Sequence, residues 1–269
     1  LGAAGARRAL VTSCRMVAVF ADVDTGVDDA VALVYLLASA DADLVGIAST
    51  GGNVPVQQVC ANNLALLELC GARGIPVSLG SAQPLSTPLR TAEDTHGPAG
   101  LGYATLGRGS SSGEPTPYDS AQAWIRAAHA HPGELVGLAT GPLTNLALAV
   151  RSEPELPRLL RRLVIMGGSF DYRGNTTPVS EWNIAVDPEA AAEVFAAWGT
   201  AHRRSERDEL PIVCGLNITE SIALTPTILA RLASAAGSPT VKMSVLDARG
   251  TRSAAENPVI RVLEDAMRF

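Results

Sequence analysis

Apolar and polar positions fall into a repeating alternation along this chain. Short apolar runs of strand length occur at residues 17–20, 44–49, 76–79, 134–139, 163–166 and 210–214. Longer stretches with helical spacing lie between them, at 28–39, 56–69, 121–130, 143–150 and 188–198, and an amphipathic helix is expected at 258–269. Strands buried on both faces and separated by helices of this length predict an α/β fold: an open, mostly parallel sheet with helices on both faces, Rossmann-like in its core. No internal repeat is evident, so residues 16–269 read as a single domain. The opening LGAAGARRALVTSCR, residues 1–15, has no signal-like hydrophobic core and reads as a disordered N-terminal extension, with Met16 as a natural start.

Two stretches break the rhythm. Residues 81–120 are rich in Pro, Gly, Ser and Thr, and a loop this long inside a domain is functional or disordered. Its first half, around TAEDTHGPAGLGY, reads as functional and its second, GRGSSSGEPTP, as disordered. The segment AHRRSERDE, 201–209, reads as a charged surface connection.

The polar residues gather just after the strands. Asp22, Asp24, Asp28 and Asp29 fall within eight residues after the first; Asn53 follows the second, Thr140 to Asn145 the fourth, Met166-Gly-Gly the fifth and Asn217 the sixth. In an open α/β sheet these loops converge on the ligand site. Four neighbouring carboxylates repel one another and lose solvation if buried, which a hard cation offsets. An N-cap and a dipole-complementing first-turn residue account for Asp28 and Asp29 but not for all four. A second cluster, GNTTPVSEWN at 174–183, places Asn175, Glu181 and Asn183 together, amide and carboxylate groups suited to several ligand hydroxyls.

Composition narrows the function classes. The net charge is -6 with a single lysine, Lys242, which argues against a nucleic-acid partner. Arg158, Arg161 and Arg162 form the one tight basic patch and read as a solvated helix face. Four cysteines, Cys14, Cys60, Cys70 and Cys214, are too few and too irregular for a disulfide framework or a zinc site. No apolar run reaches membrane-spanning length, so no membrane partner is expected and the cytoplasm is the expected compartment. Aromatic residues make up only 4% of the chain, so Ala, Val and Leu must build the core.

Four motifs resemble one family, the calcium-dependent nucleoside hydrolases of the inosine–uridine preferring type. They are DVDTGVDDA at 22–30, GGNV at 51–54, ATGPLTNLA at 139–147, and MGG followed by GNTTPVSEWNIAVDPEAA between 166 and 191. The resemblance implies hydrolysis of the N-glycosidic bond of ribonucleosides to ribose and free base, in purine and pyrimidine salvage, by homodimers or homotetramers. It assigns Ca2+ to Asp24, Asp29 and the Thr140 carbonyl, and makes Asp24 the general base for a calcium-activated water. It gives the ribose 2′ and 3′ hydroxyls to Asp28 and Asn183 with Asn53 nearby, the 5′ hydroxyl to Asn175 and Glu181, and a lining role to Met166. Asp22 receives no ligand role. His96 reads either as a pocket residue or as a loop-structuring one; His129 and His131 read as helix-end residues.

The sequence departs from the family in one respect: the His-Asp-Pro-like motif expected near the carboxyl end, whose Asp completes the calcium shell, has no counterpart here. Asp247 and Asp265 lack the matching neighbours. Two other readings therefore stay open. One is a nucleoside- or ribose-binding protein without turnover. The other is a magnesium-dependent haloacid-dehalogenase-like phosphatase with Asp22 as nucleophile and Lys242 as its lysine.

Overall fold

A computed structural model describes residues 16–107, 113–203, 210–238, 244 and 248–269. The expected extension at 1–15, part of the glycine–serine stretch, most of the charged connection, Lys242 and Asp247 lie outside the described residues. The first half of the chain runs β1 (Val17–Val23), α1 (Val27–Ala38), β2 (Ala42–Ser49), α2 (Val56–Leu69), β3 (Val77–Leu79), α3 (Glu93–His96) and α4 (Ser120–Ala130). It continues with β4 (Leu135–Ala139), α5 (Thr144–Ser152), α6 (Leu156–Leu159), β5 (Leu160–Met166), α7 (Trp182–Val186), α8 (Pro188–Arg203) and β6 (Ile212–Cys214). Helices α9 (Leu216–Thr219), α10 (Pro226–Ala235) and α11 (Pro258–Met267) follow.

The six strands form one sheet in the order β3-β2-β1-β4-β5-β6, and every pairing is parallel. The chain winds outward from β1 to β3, crosses back to β4 and winds outward again. The order therefore reverses between β1 and β4, and a crevice opens beyond their carboxyl ends.

Strand alternation sends successive residues into two cores. Phe20 points to one face, where it packs with Trp124 at a ring-centroid distance of 4.6 Å among residues of α4, α5 and α8. Ala21 and Val23 belong to the other core, with Leu33 of α1, Leu64 of α2 and Val262 of α11. Gly137 makes room for the first, since a Cβ there would stand 2.7 Å from the Trp124 ring. Leu33, 1% exposed, holds α1 against the sheet and so fixes the helix that carries Asp28 and Asp29.

The expected strands and long helices are all present, with displaced ends. Strand β5 begins at Leu160, so Arg161 and Arg162 lie on a strand and not on a solvated helix face; only Arg158 is helical. Arg161 and Arg162 stand at the strand's outer end, where side chains still reach water. Helix α8 runs on to Arg203, so the first three residues of the expected surface connection are helical, with Ala201 buried. The short helices α3, α6, α7 and α9, and α10, were too brief or too weakly patterned to be anticipated. His129 ends α4 as expected but also contacts Glu153 at 3.0 Å. Cys60 is buried in α2, and Cys70 stands at the end of that helix. No helix among the described residues is long and apolar enough to cross a membrane.

Candidate active site

Strand β1 delivers Asp24 just past its last residue, and Thr25-Gly26 turn the chain directly into α1. Helix α1 starts at Val27, which puts Asp28 and Asp29 in its first turn with Gly26 as the N-cap. Neighbouring helical positions point about 100° apart, which separates the two. Asp28 faces outward with a side chain 78% exposed. Asp29 is buried and accepts from the Gly26 N–H at 2.9 Å, satisfying a free donor of the helix start.

Asp24 and Asp29 form a buried carboxylate pair beneath a cavity of about 560 Å3. Asp29 accepts from the Thr140 hydroxyl at 2.5 Å and more weakly from the Asn53 side-chain amide at 3.5 Å. Asp24 accepts from the Asn53 N–H at 2.9 Å through Oδ2, while its Oδ1 is buried without any hydrogen-bond partner. Among the described residues no Lys, Arg or His forms a salt bridge with either. Burial, then the charge of Asp29, pushes the Asp24 carboxyl well above its usual range. Burial, then the charge of Asp28, raises Asp29 to about 7.

Glycines press against the pair. A Cβ on Gly52 would stand 2.2 Å from Asp24 Oδ2, and one on Gly141 would stand 3.0 Å from the Asp24 Cβ and carboxyl group. An unpartnered carboxylate oxygen, a second carboxylate beside it and no basic side chain make a setting that a hard, oxygen-seeking cation fits. Among the described residues no three His, Cys, Asp or Glu side chains gather as a metal site, so any such cation would need further oxygen beyond the two carboxylates. Thr140 offers it: its N–H is fixed on the Asp22 carbonyl at 2.9 Å, and its own carbonyl accepts from the Asn183 amide at 2.8 Å with a lone pair to spare.

The facing wall comes from α7. Glu181 caps this helix, accepting from the Asn183 N–H at 2.9 Å and the Ile184 N–H at 3.1 Å, and it also takes the Gly168 N–H at 3.0 Å. Three of its roughly four acceptor positions are thus filled. Asn175 accepts from the Trp182 N–H at 2.9 Å. Asn183 reaches Thr140 and also donates toward the Met166 carbonyl at 3.2 Å, tying the end of β5 to the end of β4.

Eight of the ten residues singled out in the sequence line the cavity: Asp28, Asn53, His96, Thr140, Met166, Asn175, Glu181 and Asn183. The other two, Asp24 and Asp29, lie under its floor. His96 accepts the Val27 N–H on Nδ1 at 3.2 Å and stands 3.8 Å from Asp28, so it both structures the loop and lines the pocket. Burial lowers its pKa, opposed by the charge of Asp28. In the neutral ring the proton then resides on Nε2. Sequence reasoning missed Arg90, Asp94, Thr95, Thr176 and Trp182, which also line the cavity. Arg90, Asp94 and Thr95 were signalled only by the long 81–120 loop, Thr176 and Trp182 by their place in the 174–183 cluster. Arg90 spans the mouth, 5.7 Å from the Trp182 ring centroid and 3.5 Å from the Ala185 carbonyl.

Asp22 is 2% exposed and does not line the cavity. It accepts from Thr50, from Trp124 at 2.7 Å and from Asn145 at 3.0 Å. A phosphatase nucleophile needs an open approach, and Asp22 has none. Asn217 and the loop after β6 likewise do not line the cavity.

A family profile described as inosine-uridine preferring nucleoside hydrolase matches residues 19–269. The non-specific ribonucleoside hydrolase RihC of Escherichia coli (strain SMS-3-5 / SECEC) is 41% identical over 217 residues, covering 80% of this chain and 66% of that protein. A probable uridine nucleosidase 2 of Arabidopsis thaliana is 36% identical over 218 residues, covering 80% and 64%. The chain thus spans slightly under two thirds of the length of these relatives. Among solved structures, a plant nucleoside hydrolase, PpNRh1, superposes with a TM-score of 0.73 at 30% identity, over 93% of this chain and 70% of that one. A purine-preferring ribonucleoside hydrolase from Gardnerella vaginalis gives 0.76 at 25% identity, over 93% and 71%.

Proposed function

Because the chain belongs to the inosine-uridine preferring nucleoside hydrolase family, we propose that its cavity binds a ribonucleoside and that its aspartates cleave the N-glycosidic bond, giving ribose and free base. The observation that carries this reading is the buried Asp24–Asp29 pair with one unpartnered oxygen, set directly under a polar cavity. Asp24, Asp29 and the Thr140 carbonyl would hold Ca2+, whose preference for many loosely arranged oxygens suits this donor set better than the strict octahedron of Mg2+. When bound, calcium supplies Lewis-acid activation of a water.

The chain's own residues do the rest. Asp24 acts as general base, since a carboxylate whose burial favours protonation is suited to take a proton from the attacking water. Cleavage of a glycosidic bond passes through an oxocarbenium-like sugar, and the anionic floor of Asp24, Asp28 and Asp29 favours the positive charge that develops. Asp28, Asn53 and the Asn183 side-chain oxygen hold the 2′ and 3′ hydroxyls. The Asn175 amide and the remaining acceptor position of Glu181 hold the 5′ hydroxyl, and Met166 packs against the ribose. The His96 Nε2–H is the donor nearest in kind to what a departing base needs.

The reading also carries a homodimer or homotetramer in the cytoplasm serving base salvage, which rests on the family resemblance; sedimentation tests the assembly. The activity is tested by ribose release from a panel of nucleosides, with calcium and with chelator. Calcium-dependent release is expected. Nucleoside binding without release under any condition would leave a binding protein of the same fold, and magnesium-dependent phosphate release from a phosphomonoester would restore the phosphatase.

A further inference from the structure

Two buried polar chains flank Asp24, one on each side in sequence. On one side Thr25, fully buried, donates its hydroxyl to Asn63, and Asn63 donates to the Ser49 hydroxyl at 3.1 Å. On the other, Asp22 accepts from Trp124 Nε1 at 2.7 Å, from Asn145 at 3.0 Å and from the Thr50 hydroxyl. The two chains meet at the end of β2, where the Asn145 amide reaches the Ser49 carbonyl at 3.1 Å and the Thr50 hydroxyl at 2.5 Å. Trp124, Asn63, Asn145, Ser49 and Thr50 do not line the cavity.

Burying this many polar groups in an α/β core carries a desolvation cost that apolar side chains of similar size avoid. What they surround explains the cost. The Asp24 Oδ1 has no partner, and Asp29 repels the carboxylate, so an unconstrained Asp24 would rotate toward other donors or toward water. Holding a charged, unpartnered oxygen in place requires a rigid backbone on both sides of it.

We propose that Trp124 and Asn63 are positioning residues for Asp24, acting through Asp22 and Thr25. Neither touches the cavity; each holds, from a different helix, a residue within two positions of the carboxylate. The inference rests on the calcium-dependent hydrolase reading.

The test uses the full chain with Trp124→Phe, which keeps a ring and deletes the N–H, and with the pair Thr25→Val and Thr25→Ser, which delete and keep the hydroxyl. Calcium affinity is measured by titration calorimetry, kcat and KM by ribose release from uridine, and folding by thermal unfolding. In Trp124→Phe and Thr25→Val the calcium association constant and kcat are expected to fall about tenfold or more, as when groups behind metal ligands are lost. KM should stay within about twofold, since neither residue reaches the cavity, and Thr25→Ser should restore wild-type values. Folded Trp124→Phe and Thr25→Val proteins with wild-type calcium affinity and kcat overturn this inference alone. Loss of folding in both also overturns it, because the network would then serve the fold. A wild-type chain that neither binds calcium nor releases ribose overturns the functional reading and this inference with it.

Discussion

Gly52 backs directly onto Asp24: a Cβ at position 52 would stand 2.2 Å from Asp24 Oδ2. The contact cannot be relieved by moving the loop away, because the next residue's N–H is bonded to that same oxygen at 2.9 Å. Gly52→Ala must therefore displace the carboxylate itself. Displacements of this order at a reacting group cost about a hundredfold in rate, while overpacking costs about 1–3 kcal/mol in stability. Ribose release should fall about a hundredfold while the protein still unfolds cooperatively; unchanged turnover would remove Asp24 from the chemistry.

Asp24→Asn separates the functional charge from the stability of the fold. An Asn oxygen can keep the bond from the Asn53 N–H, and the new amide then occupies the place of the unpartnered oxygen. Losing a general base lowers the rate by about 10²–10⁴-fold, and calcium binding should be lost with it. Without calcium the variant should nonetheless melt higher than wild type near pH 8, because a desolvated charge facing Asp29 has gone. A variant that melts lower would show that Asp24 is not the strained group of the site.

The buried carboxylates also set a pH dependence. Asp29 has a folded pKa of about 7, above its ordinary 3.8, chiefly through burial and then through the charge of Asp28. Between about pH 4 and 7 the folded state holds the extra proton, so this group's contribution falls as pH rises through that window. Calcium bound as proposed would compete with that proton and reverse the trend. The melting increment given by calcium should therefore grow from pH 5 to pH 8. In the metal-free protein, Asp29→Asn should remove the corresponding fall in melting temperature, which separates Asp29 from the opposing effect of His96, whose lowered pKa adds stability as pH rises toward 6.5.

Much of this site was legible because its residues follow strands, and a parallel sheet brings strand ends together whatever the loops contain. Asp24, Thr140 and Asn183 are far apart in sequence, yet each stands just past a strand or at the start of a short helix, and motif order was enough to group them. Arg90 was not legible, since nothing in local pattern says that a long loop folds back across the mouth of a cavity, whereas Trp182 falls within the 174–183 cluster. Trp124 and Asn63 were invisible for a different reason. Each occupies an inward-facing helical position that an apolar residue would normally fill, and the polar partner that explains it lies 102 or 38 residues away. The short α7 was missed because its five residues show no helical period; it is defined by the Glu181 cap, a tertiary feature as much as a local one.

Asn183 and Asp28 were assigned to the same hydroxyls, but their surroundings predict different behaviour. Asn183 is 6% exposed and holds the Thr140 carbonyl at 2.8 Å and the Met166 carbonyl at 3.2 Å, so it serves both the floor of the cavity and an oxygen expected to face calcium. Asn183→Ala should weaken nucleoside and calcium binding together, each by about tenfold, the scale of one lost hydrogen bond to a charged or buried partner. Asp28 is exposed, bonds no main-chain group of the floor, and raises the pKa of Asp29 through its charge. Asp28→Ala should therefore raise KM for uridine by a similar factor and leave calcium affinity unchanged or slightly higher, as Asp29 loses its proton more readily. Calorimetric titration of both variants with calcium, beside ribose-release kinetics, checks the contrast. Equal effects of the two substitutions on calcium would mean that Asn183 does not hold Thr140 in solution.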